Sequence, residues 1–238
     1  MSIIINTNVG AVVTSKNLVS NQRQLDRVAE RLSSGKKTIY ASDDAAGVAI
    51  AGRMEAQIRG LTAGIKHAKD GKSLSATAEG SMQAISKVLQ RMRELAVQAA
   101  SGSASHSDKD YLNIEMSNLV SQIEEMSLNS KFNGRQLLRG EEFSFYTDHE
   151  IEGMKVATTP ADMAVTSLGV PANTVSIGGG VPQAELSTVV QAIDNALNTV
   201  STKRAHLGAV SNRFDHIMKN LQTVISNTDR SRSIMIDA

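Results

Sequence analysis

Apolar residues recur along this chain at steps of three, four and seven, and the stretches that carry them predict four helices. The first stripe is Leu18, Leu25, Val28 and Leu32, with Gln and Arg between its members, and Ser33-Ser34-Gly35 ends it. A loop over 36–42 precedes Asp43-Asp44 and an Ala-rich run. Ser42 or Asp43 is expected to cap the second helix, accepting from its open N–H groups and favouring the positive end of its dipole. That helix is expected from about residue 44 to about 100, with Met54, Ile58, Leu61, Ile65 and Ala68 as its first stripe. Asp70-Gly71 reads as a stutter. The stripe resumes at Ala78, Met82, Ile85, Leu89, Met92, Ala96 and Ala99. So long a helix is stable only when partner helices cover that stripe.

A turn over 101–105 leads to a third helix, capped by Ser107 or Asp108, with Leu112, Met116, Leu119, Ile123 and Met126 on one face. The short connection predicts an antiparallel return. Phe132-Asn133-Gly134 then carries a strong turn signal. Residues 139–182 lose the helical period. Phe143 and Phe145 alternate with polar neighbours, as do the residues of Thr174-Val175-Ser176-Ile177, so short strands are expected at both. Heptads return after residue 184 as Leu186, Ile193, Val200, Leu207, Phe214 and Leu221, with Arg204 and Ser211 interrupting the companion positions.

Composition narrows the class. Of 238 residues, 41% are hydrophobic but only 3% aromatic, with no Trp and no Cys, so Leu, Ile, Val, Met and Ala must build the core. The three prolines, Pro160, Pro171 and Pro182, all fall in the non-helical stretch and leave the helical arms unbroken. Disulfide, collagen-like and sandwich architectures are disfavoured. The expected fold is mainly α, an elongated antiparallel helical bundle with coiled-coil-like terminal arms and a small β-rich insert. Its expected parts are an N-terminal arm and loop (1–43), a rod (44–140 with 184–238) and a surface insert (141–183). A net charge of +1 gives no electrostatic reason for a nucleic-acid or membrane partner. The start, Met1-Ser2-Ile3-Ile4-Ile5-Asn6, lacks the basic and apolar regions of a cleavable secretory signal, so export would need another route. No stretch approaches the ~18 apolar residues of a membrane span.

Candidate chemistry is thin. His67, His106, His149, His206 and His216 lack a second histidine at helical ligand spacing, and solvated surface histidines are the better account, with no metal or cofactor expected. Gly178-Gly179-Gly180 is followed by Val181-Pro182, not by a phosphate-binding Lys-Ser/Thr and a helix start, so a flexible turn is expected. Asp43-Asp44 suits capping better than acid–base work. There is no Gly-x-Ser-x-Gly elbow, and no enzyme is expected. The first arm, with its thin stripe Leu18, Leu25, Val28 and Leu32, wants a helical partner from the C-terminal end or from other subunits. Head-to-tail contacts between such subunits make filaments.

Several motifs carry a resemblance. Asn6-Thr7-Asn8, Arg31-Leu32-Ser33-Ser34-Gly35-Lys36-Lys37 and Ala41-Ser42-Asp43-Asp44-Ala45-Ala46-Gly47 closely resemble the N-terminal signature of bacterial flagellin. So do Gln90-Arg91-Met92-Arg93-Glu94-Leu95-Ala96-Val97-Gln98 and the Phe132-Asn133-Gly134 turn, while Leu207-Gly208-Ala209-Val210-Ser211-Asn212-Arg213-Phe214 resembles the C-terminal one. The match covers 1–140 and 184–238. The resemblance implies a subunit of the flagellar filament, polymerising with its own copies through terminal helices that line a channel. It implies export through a flagellar type III apparatus to an extracellular location, and contact with flagellar cap and junction proteins. An export chaperone is implied for the full-length form. Members of the family normally continue past 231–238 into a further helix; on that reading the last helix is missing, and the 238-residue chain is expected to be mainly monomeric.

The resemblance also implies recognition by a host innate immune receptor, Toll-like receptor 5. Arg91, Leu95 and Glu115 match the contact positions, with Leu95 one step off the stripe and so either exposed or flanking the core. Two other readings stand beside this one. A hook–filament junction protein shares the terminal-helix plan, with a weaker match expected to the motifs. A soluble helical adaptor or adhesin would bind a ligand through 141–183.

Overall fold

The computed structural model describes residues 8–101, 103–147, 155–158 and 160–237. Asn6-Thr7 of the first signature motif, Gly102 of the turn and the candidate His149 lie outside them. Four helices make up most of the structure: α1 (Val9–Ser34), α2 (Ala45–Ala99), α3 (His106–Asn129) and α4 (Gln183–Ile236). Two hairpins lie between α3 and α4: β1 (Lys131–Phe132) with β2 (Arg135–Gln136), and β3 (Phe143–Tyr146) with β4 (Lys155–Thr158). The fold is mainly α with a small strand insert, as the periodicity predicts. Contacts group the residues into two compact units, Leu61–Gln222 and Met1–Gly60 with Thr223–Ala238.

The Leu61–Gln222 unit holds the aliphatic core. Ala78, Met82, Ile85, Leu89, Met92, Ala96 and Ala99 of α2 are all fully buried, as are Ile123 of α3 and Ile193 and Val200 of α4. Each large side group among them contributes about 1.5–3 kcal/mol on leaving water. Arg91, near the end of α2, pairs with Glu115, near the start of α3, which fits the antiparallel return. Along α4 the partners of α2 run in reverse order: Arg93 with Asp194, Glu79 with Arg204, Lys72 with Asp215. At Asp70-Gly71, read as a stutter rather than a stop, α2 runs through unbroken. Gly71 is the place where the buried Phe214 ring lies against the helix; a Cβ there would enter the ring. Phe145 meets the same ring edge-on, with centroids 5.7 Å apart.

Polar groups settle the ends and the insert. The N-cap of α3 is Ser105, upstream of the expected Ser107 or Asp108. Its hydroxyl accepts from the Asp108 N–H (3.2 Å), and its own N–H donates to the Asp108 carboxylate (3.0 Å). The Ser105 hydroxyl also donates to the Asp108 carboxylate (2.7 Å); that bond first, and then the one from the Ser105 N–H, holds the Asp108 carboxyl below the usual carboxylate range. Between β1 and β2, Asn133 and Gly134 take the left-handed φ values 49° and 79° that a two-residue hairpin turn requires.

Beyond β4 the insert follows a different plan from the one expected. Thr174–Ile177 is no strand: the Ile177 N–H and Ser176 hydroxyl both donate to Asn113 Oδ1 of α3, at 2.9 and 3.3 Å. Val175 and Ile177 still point inward and are fully buried, which accounts for the alternation in the sequence. The triple glycine is held and not a free turn. The Gly179 N–H donates to Asp110 Oδ1 (2.8 Å), and a Cβ on Gly179 would stand 2.7 Å from the His106 carbonyl oxygen. Glu124 fastens the segment further along α3, pairing with Arg139 at 2.5 Å and accepting the Val165 N–H at 3.2 Å.

In the other unit, Asn8 caps α1 by accepting the Ala11 N–H at 3.0 Å, and Gly35 closes it in a left-handed conformation. The cap of α2 is Asp44, one or two residues past the expected Ser42 or Asp43: its Oδ1 accepts the Gly47 N–H at 2.9 Å. Asp43 braces the preceding turn instead, with its N–H on the Tyr40 carbonyl (2.9 Å) and its carboxylate 3.7 Å from Arg31. The Lys37 and Thr38 N–H groups donate to the Ile236 carbonyl, at 2.7 and 3.4 Å, satisfying an acceptor that the end of α4 leaves open. Arg232 of α4 forms an ion pair with Glu55 of α2.

Candidate functional site

Among the described residues, α1 leaves its apolar side groups uncovered. None of its residues is buried. Leu18, Leu25, Val28 and Leu32, the expected polymerisation stripe, are 70%, 64%, 60% and 84% exposed. Val9, Val12, Val13 and Val19 are also exposed large apolar residues. At about 100° per residue these valines share one side of the helix and the Leu18 stripe shares the other. A helix this short of internal contacts gains its stability from packing. Apolar side groups thus lie on opposite sides of α1 and are uncovered on both.

A second surface lies on α2 and α3. The Arg91 guanidinium donates to Glu115 (2.9 Å) and to Glu94 (3.2 Å), and all three residues are well exposed. The hydrogen bonds it donates to Glu115, then to Glu94, hold the Arg91 guanidinium above even its ordinary pKa, so it is a permanent cation. Leu95 does not join this surface. It is fully buried in the core, neither exposed nor flanking. Helix α2 packs on α3 through one flank and α4 through another, and Leu95 falls in the wider face that two neighbours cover. The structure therefore brings Arg91 and Glu115 together and separates Leu95 from solvent.

Sequence reasoning missed Glu94, though its place three residues from Arg91 is the signal for a helix-surface pair. Among the described residues, no three His, Asp or Glu residues gather as a metal site. No helix of the described residues is long and apolar enough to cross a membrane.

An aliphatic helical core, long terminal helices and an α1 with its apolar residues exposed define a helical structural protein. The model of the bacterial flagellin N-terminal helical region matches residues 5–142, and that of the C-terminal helical region matches 190–238. A flagellin of Halalkalibacterium halodurans is 34% identical over 237 residues, spanning 98% of this chain and 85% of that protein. This chain belongs to the bacterial flagellin family, and its function is that of a structural subunit of the flagellar filament. A crystal structure of Bacillus cereus flagellin superposes with a TM-score of 0.57 at 26% identity, covering 66% of this chain and 88% of that one. A putative flagellar hook-associated protein from Vibrio parahaemolyticus shares the fold, with a TM-score of 0.70 over 82% of this chain and 99% of that one, at only 15% identity. The family matches favour the filament subunit over the junction protein and the adaptor.

Proposed function

We propose that this protein polymerises with its own copies through the two apolar sides of α1, and that the Leu18–Leu25–Val28–Leu32 stripe is one of the packed faces. The exposure of every apolar residue on α1, with none buried, is the observation that carries this reading. Residues 1–43 act as the assembly arm, 44–140 with 184–238 as the rod, and 141–183 as the surface insert. The subunit leaves the cell by the flagellar type III route, meets the cap and junction proteins and an export chaperone, and works outside the cell. Expression of the parent protein and of a Leu18→Gln, Leu25→Gln variant in a filament-less bacterium tests it. Filaments and swimming with the first and not the second are expected, where the resemblance alone implies a mainly monomeric chain, with identical melting curves for the two purified proteins. Filaments of normal length from the variant would overturn the assignment of this stripe.

Arg91 and Glu115 are proposed as contacts for Toll-like receptor 5. Their fixed, exposed ion pair supports this, together with the motif around Arg91. Leu95 serves this surface from below, by seating the α2 turn that presents Arg91.

A further inference from the structure

Asn133-Gly134 is the one Asn-Gly pair in the sequence. This pair is chemically self-reactive: the Gly134 amide nitrogen, unshielded by any substituent on its own Cα, can attack Cγ, the amide carbon of the Asn133 side group. A new bond forms between that nitrogen and Cγ, the bond from Cγ to Nδ2 breaks and ammonia leaves, giving a five-membered imide. Water then opens either carbonyl, yielding aspartate or isoaspartate. No oxidant and no cofactor is needed.

The fold controls whether this happens. Closing the imide ring needs the Gly134 nitrogen eclipsed with Cβ of Asn133 about the Cα–C bond. The observed φ values of 49° and 79° are those of a type I′ turn, whose first residue carries ψ of about +30°, which sets that nitrogen nearly opposite Cβ. Asn133 is exposed, so it is this geometry that holds the reaction off, and not burial. The turn is also braced. Lys131 pairs with Gln136 and Phe132 with Arg135; the Leu137 N–H donates to the Ser130 carbonyl (2.9 Å), and Arg135 lies 4.2 Å over the Phe143 ring.

We infer that Asn133 is a conformationally gated deamidation site, reactive while the protein is unfolded and protected once the β1–β2 turn closes. The two products differ in fate. Aspartate keeps the main chain and tolerates the left-handed conformation, so the turn survives. Isoaspartate adds a methylene to the backbone of a two-residue turn, breaking the register that leads into the fully buried Leu137 and Leu138. The extent of conversion therefore records the time a molecule has spent unfolded, and the isoaspartyl form is a substrate for enzymes that methylate isoaspartyl carboxyls.

The test incubates the full-length protein folded in buffer and unfolded in guanidinium, at the same mildly alkaline pH and temperature in ¹⁸O-water, and follows each Asn-bearing peptide by mass spectrometry. Conversion at Asn133 is expected to be at least about tenfold faster in the unfolded protein, because reaction of the folded form tracks only the opened turn. Asn129, followed by Ser130, serves as the internal reference and is expected to lag behind Asn133 when unfolded. Gly134→Ala, whose methyl strains the left-handed position, is expected to narrow the folded-to-unfolded ratio, while Asn133→Asp folds normally and gives no ammonia-loss product at that peptide. Equal rates at Asn133 in the folded and unfolded protein would overturn the gating. An Asn133 that reacts no faster than Asn129 in guanidinium would overturn the site.

Discussion

Gly71→Ala sets two ordinary effects against each other inside one helix. In a helix interior Ala is favoured over Gly by about 1 kcal/mol, so propensity alone predicts a more stable protein. The structure predicts the reverse, since the new methyl lands in the ring of Phe214, which is fully buried and held edge-on by Phe145. A Cβ set against the Cζ atom of that ring falls in the upper part of what an overfilled core costs, about 2–3 kcal/mol, which leaves a net destabilisation of about 1–2 kcal/mol after the helix gain is counted. For a protein of this size that lowers the melting temperature by roughly 2–8 °C. Phe214→Leu makes room and by itself costs on the order of 1–2 kcal/mol. In that background Gly71→Ala should be neutral or stabilising by up to about 1 kcal/mol, so the double-mutant cycle should return a coupling of about 1–3 kcal/mol. Far-UV circular dichroism in urea reads all four proteins, there being no Trp to report. A Gly71→Ala protein more stable than its parent, or equally affected in both backgrounds, would show that the ring is not what keeps glycine at this position.

Three further outcomes follow from caps and surfaces. Asp44→Ala should lower stability by about 1 kcal/mol through loss of the α2 cap, and Ser42→Ala should do less; thermal melts compare them. Asp108 has its carboxyl pKa held down in the folded protein, so its stabilisation is complete above the ordinary aspartate range and lost as pH falls through the lower, folded value. Acid titration of stability below about pH 4 should therefore be less steep in Asp108→Asn. Arg91→Ala should weaken signalling in receptor-expressing cells while leaving the melting curve in place. Leu95→Ala should cost about 2–5 kcal/mol of core stability, so any loss of signalling has to be measured below its melting range; unchanged signalling in Arg91→Ala would remove the ion pair from the contact.

The seven-residue register of α4 was fully legible: Leu186, Ile193, Val200, Leu207, Phe214 and Leu221 are all buried. One continuous face on one helix leaves little else for those residues to do. The helix starts were legible only to within a few residues, because 42–44 and 105–108 each offer several polar oxygens and only backbone geometry selects Asp44 and Ser105. Leu95 was misjudged because a single stripe describes a helix with one neighbour, while α2 has two. At Thr174–Ile177 the inward and outward alternation was visible, but the identity of the acceptor, Asn113 on a distant helix, was not. In the candidate site the Leu18 stripe was readable as apolar, and its lack of any covering partner required the fold.

The hydrogen bonds from Lys37 and Thr38 to Ile236 join residues separated by nearly the whole sequence. Closing a loop of that size before folding costs about 5 kcal/mol in entropy, far more than any local turn within Leu61–Gln222. It also imposes an order on biosynthesis. Every residue of the Leu61–Gln222 unit is synthesised before Ile236, so the segment around Lys37 waits longer for its acceptor than any residue of that unit waits for its partners. Lys37 and Ile236 are thus coupled in time, and the clasp is made only by a molecule translated past Ile236.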